Sequence, residues 1–189
     1  MNYEKTYSDF EVKDSSMRFE DETTATKMGC VGSMEEAMNS KTISKKCEGV
    51  VVKTVTRGDG TGELSVSLHM RYDLYLKSFG MLSDGLIDGV YAYGRNSQHK
   101  PFCLTARVLD EDGVEKLKAY PNCTISSGKA MKVTNGEEEV AEGEITIAIN
   151  PDEYGNGVYE ALTSLITDET VKSDWLNEFT PELVQKIKA

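Results

Sequence analysis

The hydrophobic period changes twice within GDGTGELSVSLHMRYDLYLKSFG, the run from Gly58 to Gly80. Leu64, Val66, Leu68 and Met70 alternate with Ser65, Ser67, His69 and Arg71. That is the period of a strand with one face buried. From Asp73 the spacing lengthens, and Leu74, Tyr75, Leu76 and Phe79 suit one face of a short helix closed by Gly80. Before the strand, Gly58, Gly60 and Gly62 with Asp59 and Thr61 read as a flexible loop. A loop, an amphipathic strand and a short helix make a building block, and none of these side chains is placed for covalent chemistry.

The alternation continues elsewhere. Gly49 to Thr56 is β-branched and is expected to pair with Leu64 to Arg71 across the glycine loop. Phe102 to Leu109 and Val114 to Tyr120 flank Asp110-Glu111-Asp112-Gly113, a hairpin signature. Short strands are expected at Gly29 to Val31, Val90 to Tyr93, Cys123 to Ser126 and Met131 to Thr134, with Asn135-Gly136 as a tight turn. Ile145, Ile147 and Ile149 share one face of a strand that Pro151 ends. Ser33 to Asn39 suits one helical turn. In the tail, Val158, Leu162, Leu165 and Ile166 suit a helix face. Asp168 suits a cap for a piece reaching Trp175 and Leu176, and Thr180-Pro181 suits the start of a last turn. The expected fold is mainly β (α+β), a β-sandwich or barrel with one packed helix. It divides into an N-terminal arm over 1–28, a β domain over 29–157 with the helix near 73–79, and a helical C-terminal extension over 158–189.

Charge and composition narrow the function classes. The formal charge of -11 opposes a surface that grips nucleic acid or anionic lipid. An apolar fraction of 39% is modest and suits faces buried against other copies. The longest aliphatic run, Val50 to Val52, is far short of the roughly 20 residues of a membrane span. The start, MNYEKTYSDFEVKD, lacks the apolar core of a signal peptide, so a reducing cytoplasm is expected. Cys30, Cys47, Cys103 and Cys123 are then expected to be small buried hydrophobes rather than disulfide partners.

No catalytic or cofactor constellation emerges. His69 and His99 are the two histidines, and neither has a nucleophile motif around it. The cysteines lie 17, 56 and 20 residues apart, without a C-x-x-C pair for zinc. The acidic turn at Asp110 lacks the alternating ligands of a calcium loop. No enzyme activity, metal or cofactor is expected. One charge run is unusual: Glu137, Glu138, Glu139, Glu142 and Glu144 fall together without an intervening cation. It suits either a solvated strand edge or an anionic surface past which something slides.

Several blocks resemble the major tail tube proteins of long-tailed bacteriophages and prophages of Gram-positive bacteria. They are VKDSSMRFEDETTA from Val12, LSVSLHMRYDLYLKSFGM from Leu64, YAYG from Tyr91, and KPFCLTARVLDEDGVEKLKAYPNC from Lys100. NGEEEVAE from Asn135, NPDEYGNGVYEAL from Asn150 and FTPELV from Phe179 complete the set. The resemblance implies a structural virion protein, assembled in the host cytoplasm, whose hexameric rings stack into a tube. DNA would pass through the lumen without specific binding, and the other partners would be tail proteins such as the tape measure and the terminator. Arg57, Gly58, Asp59, Gly60, Thr61 and Gly62 form the candidate inter-subunit loop, and the five glutamates the candidate anionic surface. Three alternatives stay open: an acidic monomeric β-sandwich binding module, another tail protein such as a terminator, and a cysteine-dependent enzyme.

Overall fold

The computed structural model describes residues 4–133, 135–136 and 140–186. The protein is mainly antiparallel β. Eight strands, β1 (Glu11–Phe19), β2 (Thr26–Lys27), β3 (Gly29–Cys47), β4 (Val50–Met70), β5 (Phe102–Leu109), β6 (Glu115–Ile125), β7 (Gly143–Asn150) and β8 (Tyr159–Leu162), form one sheet. Its order is β2-β1-β5-β6-β7-β4-β3, with β8 added beside β6.

The two ends of that order are successive stretches of one bent strand. Met28 separates β2 from β3, donates its N–H to the carbonyl of Ser15 at 3.0 Å, and accepts from the N–H of Arg71 at 2.9 Å. One residue thus bonds to β1 on one side and to the end of β4 on the other, which curls the sheet toward a barrel. Gly29 makes the bend. Its φ is +133°, and a Cβ there would stand 2.0 Å from the carbonyl oxygen of His69.

Inward residues follow the expected alternation. Leu64, Val66 and Leu68 of β4 meet Ile147, Ile145 and the Gly143 position of β7, and all these side chains are buried with Phe19, Phe102, Leu104 and Tyr120. The helix α1 (Tyr72–Ser78) follows β4 directly and adds Leu74 and the flanking Phe79 to this core at one end of the barrel. A second, smaller core lies on the other side of β5 and β6. There Trp175 and Phe179 cover Cys103, Leu117 and Ala119, and the Trp175 indole N–H donates to the Lys118 carbonyl at 3.2 Å. Asp168 caps α2 (Glu169–Asp174) by accepting from the N–H of Thr170, and Pro181 opens a 3-10 turn, both where expected.

Several expectations are corrected. Residues 11–19 are not part of an arm: Met17 and Phe19 are buried, so the segment is drawn into the sheet as β1 beside β5. Ser33 to Asn39 is strand, because its backbone pairs with β4. Val158 to Ile166 holds β8 and a 3-10 turn instead of a helix, since Tyr159 to Leu162 pair with β6. The two strands expected at 114–120 and 123–126 are one, and Pro121 sits where its pairing with β5 slips. Residues 131–133 are not in a strand.

Gly29→Ala is expected to lower stability by about 2–3 kcal/mol, since strain and a backbone clash combine at the point of closure. Urea unfolding followed by circular dichroism measures it. An unchanged midpoint would show that the bend does not depend on glycine.

Candidate assembly surfaces

The largest correction concerns Arg57 to Gly62. These residues are not a loop between two strands. They lie inside β4, which runs unbroken from Val50 to Met70, and the turn is at Glu48-Gly49, both at positive φ. The glycines mark a bulge. Met38 pairs with Gly62 and Ser40 with Gly58, so β4 spends extra residues opposite Asn39. Gly60 has φ +81°, and a Cβ there would stand 2.6 Å from the Gly155 carbonyl oxygen. Gly62 has no room either, since a Cβ there would stand 2.8 Å from the Ala37 carbonyl oxygen and 2.6 Å from Met38 Sδ. Asp59 fixes the bulge by accepting from the N–H and the hydroxyl of Thr61 at 3.0 and 2.8 Å. These bonds hold its carboxyl below the usual range.

Beyond the bulge β3 and β4 leave the body. The pairing of β4 with β7 begins at Gly62, so residues 39–61 form a two-stranded ribbon with no third strand among the described residues. Residues 39–47 and 50–61, nine on one side and twelve on the other, correspond to roughly 30 Å. Ile43, Val50, Val51 and Val52 are exposed on it, Val50 by 67%. An isolated two-stranded ribbon is marginal in water, so such a projection is suited to a partner surface.

The ribbon has two different faces. Thr42 pairs with Thr56 and Ser44 with Thr54, and their hydroxyls meet at 2.9 and 3.3 Å. The alternate positions pair Lys41 with Arg57, Ile43 with Val55 and Lys45 with Lys53. Two like-charged pairs therefore stand directly opposite one another, an unfavourable arrangement without an anion nearby. Residues 39–61 contain five cations and two carboxylates, net +3, which leaves -14 on the rest of the chain.

A second surface is the outer face of β3, β4 and β7. Its side chains fall in rows: Ser33, Ser67 and Glu144; Glu35, Ser65 and Thr146; Ala37, Glu63 and Ala148, extended by Thr124 of β6. Each row holds one glutamate among small residues, and no lysine or arginine of these rows intervenes. Glu35, Glu63 and Glu144 are exposed. Of the five glutamates singled out in the sequence, Glu144 belongs to this face. Glu142 lies close to Gly32 of β3, where an added Cβ would meet its carboxylate. Glu137, Glu138 and Glu139 lie outside the described residues. Glu35 and Glu63 carried no cluster signal in the sequence, because pairing across strands brings them level.

The residues considered for chemistry have structural occupations. His99 is pinned by the Ile125 carbonyl at 2.7 Å and the Tyr93 hydroxyl at 3.0 Å, and it packs edge-on against Phe79. Asp110 is buried, and its carboxylate accepts from the N–H groups of Asp112 and Val114, closing the turn. Lys118 and the Tyr120 hydroxyl both donate to Glu36, at 2.8 and 2.5 Å, in a small partly buried cluster that the sequence did not signal. Burial and that carboxylate push the Tyr120 phenol far up. Among the described residues no group of three or more His, Cys, Asp or Glu is arranged to hold a metal, and no helix is long and apolar enough to cross a membrane.

No protein-family model and no curated protein matches the chain. Among solved structures it is similar to the tube-terminating cap of an anti-feeding prophage. The identity is 12% and the TM-score 0.47, over 85% of this chain and 97% of that one.

Only two of the four cysteines are buried as expected, because Cys30 and Cys47 stand at exposed positions of β3. Cys30 and Cys47 are exposed, Cys47 near the ribbon tip, while burial pushes the Cys103 thiol up to about 12 and raises Cys123 as well. Brief treatment of the dilute, folded protein with an aromatic disulfide reagent is expected to modify Cys30 and Cys47 alone. Cys103 and Cys123 should react only after unfolding. Four equally fast thiols would contradict this packing.

Proposed function

We propose that the protein is a structural, self-assembling component of a phage-type tail, with tube subunit as the first reading. The observation that carries it is the ribbon of residues 39–61, an exposed projection with apolar and unpaired cationic side chains and no partner strand within the chain. The resemblance of the sequence blocks to tail tube proteins supports the same reading. In such an assembly the outer face of β3, β4 and β7 would line the lumen. One carboxylate per row, set among serine, threonine and alanine, repels phosphate and offers duplex DNA nothing to grip. Hexameric rings, contacts with tape measure and terminator proteins, and a place in the virion tail are parts of this proposal. So is an inter-subunit role for Arg57 to Gly62, now as the root of the ribbon.

A tail terminator is the second reading, and the solved neighbour is itself a tube-terminating cap. The two differ in growth. A terminator forms rings that stop, whereas a tube subunit must stack without limit through contacts at both ends.

Negative-stain electron microscopy of the concentrated protein separates them. Long tubes with a central hole are expected; single rings would favour the terminator, and a monomer at every concentration would overturn both. Replacing residues 39–61 by a tight Asn-Gly turn between Met38 and Gly62 should leave the body folded, because Leu64 to Leu68 keep their pairing with β7. The same change should abolish stacking. Tubes formed as readily by the shortened chain would remove the ribbon from the assembly.

A further inference from the structure

The ribbon and α1 lie at opposite ends of β4. Residues 50–61 of the strand form the ribbon, residues 62–68 cross the body beside β7, and α1 begins at Tyr72. About 25 Å of strand separates the ribbon root from the helix. At the helix end the segment 82–93 folds back against α1 through a Leu82–Ala92 bridge and the edge-on contact of Tyr91 with Tyr72. It leaves Tyr72, Leu86, Ile87, Val90, Tyr91 and Tyr93 exposed, Ile87 by 82%. Within it Asp84 and Asp88 are its charged residues, and neither has an ion-pair partner among the described residues. Lys129 belongs to a neighbouring segment and stands over the Tyr75 ring instead.

The ribbon end is the chemical counterpart. Lys45 and Lys53 face the same way directly opposite one another, Val50, Val51 and Val52 are exposed beside them, and none of the ribbon's cations joins an ion pair within the described chain. Cations of the body are used differently: Lys77, Arg107, Lys116 and Lys118 are each held by carboxylates of the same chain. One pole therefore offers lysines with aliphatic side chains, and the other offers aspartates with aliphatic and aromatic ones.

We propose that the ribbon of one copy docks head-to-tail on the 82–93 segment of the next copy, with Lys45 and Lys53 set against Asp84 and Asp88. This rests on the assembly reading and specifies the receptor within it. Docking would relieve the opposed lysine pair, cover the valines and aromatics together, and leave the docked assembly with one free pole of each kind, one at either end. Such a heterologous contact continues without limit, as a stack requires. Duplex DNA is the other anion that the lysines could meet. The -14 carried by the rest of the chain opposes it, because the body would repel the phosphates on approach.

A charge swap tests the receptor. Lys45→Glu with Lys53→Glu, and separately Asp84→Lys with Asp88→Lys, should each raise the protein concentration needed for polymer about tenfold or more at low salt. The chain carrying all four changes should return to near the parent threshold. Sedimentation measures the threshold, and the near-ultraviolet dichroism of the buried Trp175 checks the fold. If the parent polymerises and the aspartate variant does so equally well, the receptor lies elsewhere and the inference falls while the assembly reading stands. A fourfold variant as defective as the doubles overturns it in the same way. Duplex DNA binding that the lysine variant loses would also overturn it. A parent that never polymerises would sink the assembly reading itself.

Discussion

The peptide of Met28 holds the architecture together. Its N–H reaches β1 and its carbonyl reaches the end of β4, so the first and last strands of the sheet order become one bent strand. Without that closure β1 and β3 would each carry an open edge, which sheets of this length cannot leave unprotected. Closure also decides which residues are interior. It brings Phe19 and Phe102, 6.0 Å apart edge-to-face, into the same core as the isoleucines of β7.

Closure of the body makes the ribbon conspicuous. The same two strands that complete the barrel continue past it, and the change happens at one bulge. At that point Gly60 lets the 151–157 loop approach the backbone of β4, and Gly157 must be bare as well, since a Cβ there would stand 2.1 Å from the Gly60 carbonyl oxygen. The body therefore anchors the ribbon through backbone contacts that need glycine on both sides. The ribbon's lysines Lys45 and Lys53 and its exposed valines stay available to a partner. A rigid root with an uncommitted outer half is the physical form that an assembly element requires, since ordering before docking reduces the entropy lost on docking.

Charge is sorted along the same axis. Lys77, Arg107, Lys116 and Lys118 of the body are paired internally, the ribbon's cations form no ion pair among the described residues, and the charged residues in the rows on the outer face of β3, β4 and β7 are glutamates. A formal charge of -11 is thus the sum of unlike regions, and it understates how anionic the body is. For a proposed tube this separation has a use. The face proposed to line the lumen would repel phosphate, while attraction would be confined to the proposed contacts between copies.

Alternation and local capping were legible in the sequence. Leu64, Val66 and Leu68, and Ile145, Ile147 and Ile149, face inward as their period requires, and Asp168 and Pro181 start the turns they were expected to start. Local chemistry determines these features, because a strand's two faces and a helix's first N–H groups are set within a few residues. Partners across the sheet are not set locally. Gly58, Gly60 and Gly62 have the composition of a loop, and a bulge under a second loop uses glycine for the same conformational reason. Only the distant loop 151–157 distinguishes the two. In the same way Glu35, Glu63 and Glu144 are far apart in the chain and become one anionic face through register alone. The strands were therefore determined by sequence, while the ribbon, the closure and the poles were decided by long-range pairing, where no local period can reach.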